Sequence, residues 1–156
     1  MHHLLLDIYQ CPAERLADEH LLQRFLSDLP EHLGMQQVSP VFLEHIDQVS
    51  DPRDAGHSGV AITVTGHCSL HAWPPYGMVN VDLFSCEPFD QQEAIHFVQA
   101  TFQPQDMEIR PIERALRSPR LASRPVNQAG ESCPVLRHSM TGHRFRPMGG
   151  LLPPLL

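Results

Sequence analysis

The way hydrophobic periodicity changes along the chain predicts an α+β fold, a two-layer sandwich of an antiparallel β-sheet with two helices on one face. Three observations carry this. Residues from Asp18 to Leu33, and "DQQEAIHFVQATF" from Asp90, repeat apolar side chains at helical spacing. "MVNVDLFSC" sets Met78, Asn80 and Asp82 against Val79, Val81 and Leu83, a period of two. The order βαβββ(β)αβ has short links in its middle, which suit antiparallel neighbours with the helices gathered on one side.

Each element follows from its own residues. "HHLLLDIYQC" reads as a strand closed by Pro12. In the first helix Leu21, Leu22, Phe25, Leu26 and Leu29 form the buried stripe, with Asp18 as N-cap and Gly34 as C-cap. Pro30 is expected to end or kink its last turn. "MQQVSPVFLEHI" reads as a second strand, placed at an edge or bulge by Pro40, and "DQVSDPRDAGHS" as a polar loop. "SGVAITVTG" and "CSLHAW" are strand-like and "PPYG" is a turn. The second helix, capped by Asp90, buries Ala94, Ile95, Val98 and Phe102, and "MEIRPIE" is a final strand. Residues 116–156 carry arginine, serine, proline and glycine without a period and are expected to form a mobile tail, leaving a domain at 1–115. The four leucines of the closing "GGLLPPLL" keep docking of that tail onto a groove open.

Bulk properties narrow the function. All 11 basic residues are arginine, which excludes a Schiff-base lysine and a Walker-type phosphate loop. Residues 1–108 hold 16 acids and 3 arginines, whereas 109–156 hold 2 acids and 8 arginines, so the tail is expected to meet an acidic surface of its own domain or of a partner. Aromatics for base stacking are nearly absent from it, and nucleic acid is not an expected partner. No apolar run approaches the roughly 18 residues of a membrane span. The opening "MHHLLLDIYQC" lacks a basic leader region, so a cytoplasmic protein is expected. The four cysteines show neither a CxxC pair nor zinc spacing and are expected to be free thiols.

The chemistry gathers in "TVTGHCSLHAWPPYG", residues 63–77. As a strand, it places Thr65, His67, Ser69 and His71 on one face and Gly66 and Cys68 on the other. Two histidines four residues apart on one strand face, His67 and His71, could ligate a metal, but no third ligand stands at a fitting spacing, and no metal centre is expected. The plain reading is a set of hydrogen-bonded sheet residues.

"SGVAITVTGHCSLHAWPPYG", followed by "VDLFSC", resembles the central signature of the prokaryotic S-adenosylmethionine decarboxylase family, and "HHLLLDIYQC" resembles its opening strand. That signature is a Ser-Gly-Val strand, a Glu-Ser-His processing site, a His-x-Trp-Pro-Glu-x-Gly turn and Asp-x-Phe-x-Cys. The likeness covers roughly residues 2–113. It implies a homodimeric sandwich with active sites at the dimer interface. It also implies a self-cleaving proenzyme whose serine becomes a pyruvoyl group, serving spermidine biosynthesis. Such a carbonyl forms an imine with the substrate amine and accepts the electrons left by decarboxylation.

By this resemblance Ser58 and His71 match residues that assist processing, and Cys86 matches the residue that returns a proton to the product. Asp82 and Phe84 match the strand before it, and Trp73, Pro74 and Gly77 the turn. Two positions depart. Thr65-Gly66-His67 stands where the family has Glu-Ser-His, and Gly66 has no hydroxyl to form the ester that precedes pyruvoyl. Pro75 replaces the glutamate that accepts the ribose hydroxyls. Thr65 and Ser69 are expected on the wrong strand face to substitute, and Cys68 lies about 7 Å from Gly66. No cofactor is therefore expected. The sequence favours a non-cleaving homologue acting in regulation or binding, as a homodimer or paired with an active paralogue, with a small molecule in the residual pocket. The alternative is a decarboxylase or other lyase using His71 and Cys86 with a different substrate or carbonyl source. Plainer roles stand beside these: Ser58 as a strand start, Cys86 as a small buried hydrophobe, Trp73 as core, and His57 and His67 as loop and sheet residues.

Overall fold

A computed structural model describes residues 1–114, so the expected tail at 116–156, with Cys133, lies outside the described residues. The elements run β1 (His2–Tyr9), α1 (Ala13–Leu16), α2 (Glu19–His32), β2 (Phe42–Ile46), β3 (Gly56–Ile62), β4 (Gly66–Trp73), β5 (Met78–Ser85), α3 (Gln91–Phe102) and β6 (Asp106–Glu113). The strands form one sheet in the order β2-β3-β4-β5-β1-β6, every neighbouring pair antiparallel.

The period of two decides which face is covered. Leu4, Leu6 and Ile8 of β1, Val79, Val81 and Leu83 of β5, and Cys68, Leu70 and Ala72 of β4 are all buried. Against them α2 places Leu22, Phe25, Leu26 and Leu29, and α3 places Ala94, Ile95, Val98 and Phe102. Phe25 and Phe102 meet with ring centroids 4.7 Å apart, tilted by 58°. Each such side chain removed from water contributes about 1.5–3 kcal/mol, so this layer supplies the main favourable term. The caps are as the sequence predicts: Asp18 accepts from the Leu21 amide and Asp90 from the Gln92 and Glu93 amides.

Four details differ from the sequence reading. Of the two outcomes expected at Pro30, ending is excluded: Pro30 is buried inside α2, which continues to His32, with Gly34 at φ 72° just beyond. A short helix, α1, fills the link after Pro12. The second strand is shorter than "MQQVSPVFLEHI": only Phe42–Ile46 pairs continuously, and Gln37 makes an isolated bridge to Thr63. It does lie at an edge, as expected, but Pro40 stands outside the paired residues and does not set that position. Finally, the strand breaks inside "TVTG": Val64 and Thr65 form a hairpin turn closed between Thr63 and Gly66, the first residue of β4. The Thr63 amide donates to the Gly66 carbonyl at 2.9 Å, and the Gly66 amide donates to Thr63 Oγ1 at 2.9 Å. No helix among the described residues is long and apolar enough to cross a membrane.

Candidate functional site

The sheet face turned away from the helices carries most of the polar residues that the sequence singles out. Strand pairing sets Ser58 opposite His71, and His71 opposite Asn80. Ser58 Oγ and His71 Nδ1 are 2.9 Å apart, a hydrogen bond joining the two residues matched to processing roles. Trp73, two residues along the same strand, stacks beside His71 at 6.1 Å and 27°. It is thus a half-exposed neighbour of the pair, not the core residue of the plainer reading.

One row further along, His3 Nε2 and Asp82 Oδ1 are 2.5 Å apart, and His67 Nε2 lies 3.9 Å from the same carboxylate oxygen. Both imidazoles also contact the Phe84 ring, at 5.7 and 5.6 Å. Arg114 sits 5.1 Å above that ring. His67 is therefore a sheet residue as expected, but one of two histidines sharing an aspartate. His3 gave no signal in the motif because it comes from the opening strand, and only the β1–β5 pairing brings it to Asp82.

Cys86 is exposed, not the buried hydrophobe considered above, and its amide donates to the Thr65 carbonyl at 2.8 Å. His71 faces Asn80, six residues before Cys86 on the chain. At about 3.3 Å per strand residue that is roughly 20 Å, so one protomer does not bring His71 and Cys86 together as a nucleophile and base. The same count over the five residues from Gly66 to His71 gives about 16 Å.

Gly66, which the resemblance matches to the processing position, is closed by backbone. A Cβ built on Gly66 would lie 1.9 Å from the Phe84 carbonyl oxygen and 2.7 Å from its carbon. Van der Waals contact needs about 3.5 Å, so any side chain here displaces β5. Thr65 does not share a strand face with His67, because it belongs to the turn. Its Oγ1 accepts from Ser85 Oγ at 3.1 Å, and Ser85 is buried on the helix side. The residues present therefore do not fit a pyruvoyl precursor.

The turn holds Pro75 where the resemblance expects a glutamate. Pro75 lies in a 3₁₀ turn, Pro74–Tyr76, ended by Gly77 at φ 59°. The Gly77 carbonyl accepts from the Cys11 amide at 2.9 Å, and a Cβ on Gly77 would sit 3.0 Å from the Cys11 carbonyl oxygen. Pro75 lines a cleft of about 370 Å³ together with Glu19, His45 and His57. His57 is not a loop residue but a buried member of β3. Burial, and then the facing His45, push its imidazole below the usual range, against a smaller opposing effect of Glu19. No motif announces these three, since they come from a helix start and two strands.

Comparison with known proteins agrees with this architecture. The curated relatives include S-adenosylmethionine decarboxylase proenzymes of Picrophilus torridus and Thermodesulfovibrio yellowstonii. The first is 22% identical over 113 residues, covering 72% of this chain and 82% of the relative. The second is 27% identical over 135 residues, covering 86% and 95%. The crystal structure of the adenosylmethionine decarboxylase from Aquifex aeolicus superposes with a TM-score of 0.61 at 20% identity, covering 76% of this chain and 92% of that one, a likeness of fold. The sequence model of S-adenosylmethionine decarboxylase matches residues 2–115. With that match over most of its length, the chain belongs to the S-adenosylmethionine decarboxylase family.

Proposed function

We propose that this chain is a non-self-cleaving member of its family, linked to spermidine and polyamine biosynthesis as a regulatory or binding homologue. The observation that carries the reading is the environment of Gly66. The position lacks the hydroxyl that would attack the preceding carbonyl, and the Phe84 carbonyl 1.9 Å from the would-be Cβ leaves no room for one. Pro75 supports the same reading from the substrate side. A ribose diol loses a charge-assisted acceptor there, worth about 1.5–3 kcal/mol or roughly ten- to a hundredfold in affinity.

The partner in this reading is a second copy, or an active paralogue, on the open sheet face. Strand pairing puts Phe42, Ile46, Ile62 and Ile112 on that face, and they are 55%, 41%, 44% and 42% exposed. An antiparallel sheet with one face on helices leaves the other to water or to a partner, and exposed apolar side chains at both edges of that face, flanking its polar centre, suit the partner.

Intact mass, calorimetry with S-adenosylmethionine and its decarboxylated form, and release of labelled carboxylate test the proposal together. A single species of 17.6 kDa with no carbon dioxide released is expected. Tight ligand binding without turnover identifies a sensor. Cleavage near residues 64–66, or turnover, overturns the reading.

A further inference from the structure

On the helix-covered side, at the β2 edge of the sheet, three ligand-type side chains converge that the open-face cluster does not use. His45 of β2 and His57 of β3 are direct cross-strand partners, with ring centroids 4.7 Å apart. Glu19, the first residue of α2, brings Oε1 to 4.0 Å from His57 Nδ1. One donor atom from each lies within 4.8 Å of the other two. His57 is 5% exposed, and its Nδ1 is buried without a hydrogen-bond partner. An orphaned buried polar atom costs about 1–3 kcal/mol and calls for an explanation.

We propose that Glu19, His45 and His57 form a binding site for a divalent transition ion of the zinc type. Two imidazoles and one carboxylate are a donor set that zinc accepts, and three protein ligands leave a fourth position for water or a small donor molecule. Bonds of about 2.0–2.2 Å to a tetrahedral ion put donor atoms roughly 3.4 Å apart. Closing from the present spacing asks for small rotations only. His57 is held by the core, whereas His45 and Glu19 are exposed and free to adjust. The ion would satisfy His57 Nδ1, and the carboxylate would offset half of its charge. The open position faces the cleft of about 370 Å³ bounded by Ala17, Pro74 and Pro75. The site is thus on the other side of the sheet from Ser58 and His71, and it joins α2 to the edge strand β2.

The test uses the full chain, stripped with chelator and titrated with Zn²⁺ by calorimetry, with Co²⁺ as a spectroscopic reporter. One equivalent is expected to bind, with tetrahedral Co²⁺ absorption, while Mg²⁺, which prefers oxygen donors, does not compete. His45→Ala and Glu19→Gln alter exposed side chains and are expected to fold as the parent does, checked by circular dichroism. Each is expected to weaken Zn²⁺ binding at least tenfold, because even outer-shell changes cost that much. His3→Ala, on the open face, is expected to leave binding unchanged. Absence of binding by the parent chain, full binding by both edge variants, or loss of binding in His3→Ala overturns the proposal.

Discussion

Replacing Gly66 by alanine tests whether the processing position is merely empty or structurally closed. The added Cβ would stand 1.9 Å from the Phe84 oxygen. Reaching ordinary contact at about 3.5 Å requires β5 to retreat by roughly 1.5 Å. That movement pulls on two neighbouring links, the Cys86 amide to the Thr65 carbonyl at 2.8 Å and Ser85 Oγ to Thr65 Oγ1 at 3.1 Å. Overpacking of this kind costs about 1–3 kcal/mol, and two weakened hydrogen bonds add about 1 kcal/mol each at most. Against this, losing the freedom of glycine in the unfolded chain returns about 0.4–1 kcal/mol. The net loss is about 3 kcal/mol, which lowers Tm by roughly 12 °C in a domain of this size. Thermal melts of the whole chain by circular dichroism measure it, with Ser69→Ala on the open face as control. A Gly66→Ala melt within about 2 °C of the parent would refute the closure argument. Gly66→Ser carries the same strain and is expected to remain uncleaved, and a stable serine variant that splits in two would refute it equally.

Three further outcomes follow from other parts of the molecule. Burial pushes the Cys11 thiol up to about 11 and Cys68 up to about 12, from an ordinary 9.0, the latter also raised by Asp82. The folded state therefore binds protons that the unfolded state releases above about pH 9. Stability is full below that value and falls as pH rises toward 11–12, and Cys68→Ala is expected to flatten the decline in melts across this range. Asp90→Ala removes the acceptor for two amides at the start of α3, and is expected to lose about 1 kcal/mol in a urea titration. Light scattering is expected to find an assembly of two or more chains. Ile62→Asp, on the open face, should return it to a folded monomer, and a monomeric parent chain would remove the argument from that face.

The elements that the sequence announces are those with a repeating period or a cap. Asp18, Asp90 and the stripes of α2 and α3 work locally, so the pattern on the chain is the pattern in the fold. The "TVTG" turn escapes because threonine and valine favour strands, and the usual Asn-Gly or Asp-Gly signal is missing. The turn is closed instead by the Gly66 amide, which donates to Thr63 Oγ1, and by the Thr63 amide, which donates to the Gly66 carbonyl. The pairing of Ser58 with His71 was within reach, because both carry family matches and the links between strands are short. His3 with Asp82, and Glu19 with His45 and His57, were not. Each joins residues from elements whose adjacency is a property of sheet order, which no local pattern encodes.

The place of β1 in the sheet bears on how the chain folds. Its register partners run from Ser85 to Val79 on one side and from Glu113 to Asp106 on the other. The first strand made is thus an interior strand whose neighbours emerge last. During synthesis Leu4, Leu6 and Ile8 have no sheet to join until β5 is complete, and both sides are paired only after β6. Pairings this distant in sequence must close long loops before any contact repays the lost entropy, which places the domain among slow folders. Until those late strands arrive, the apolar side chains of β1 have no sheet partner within the domain.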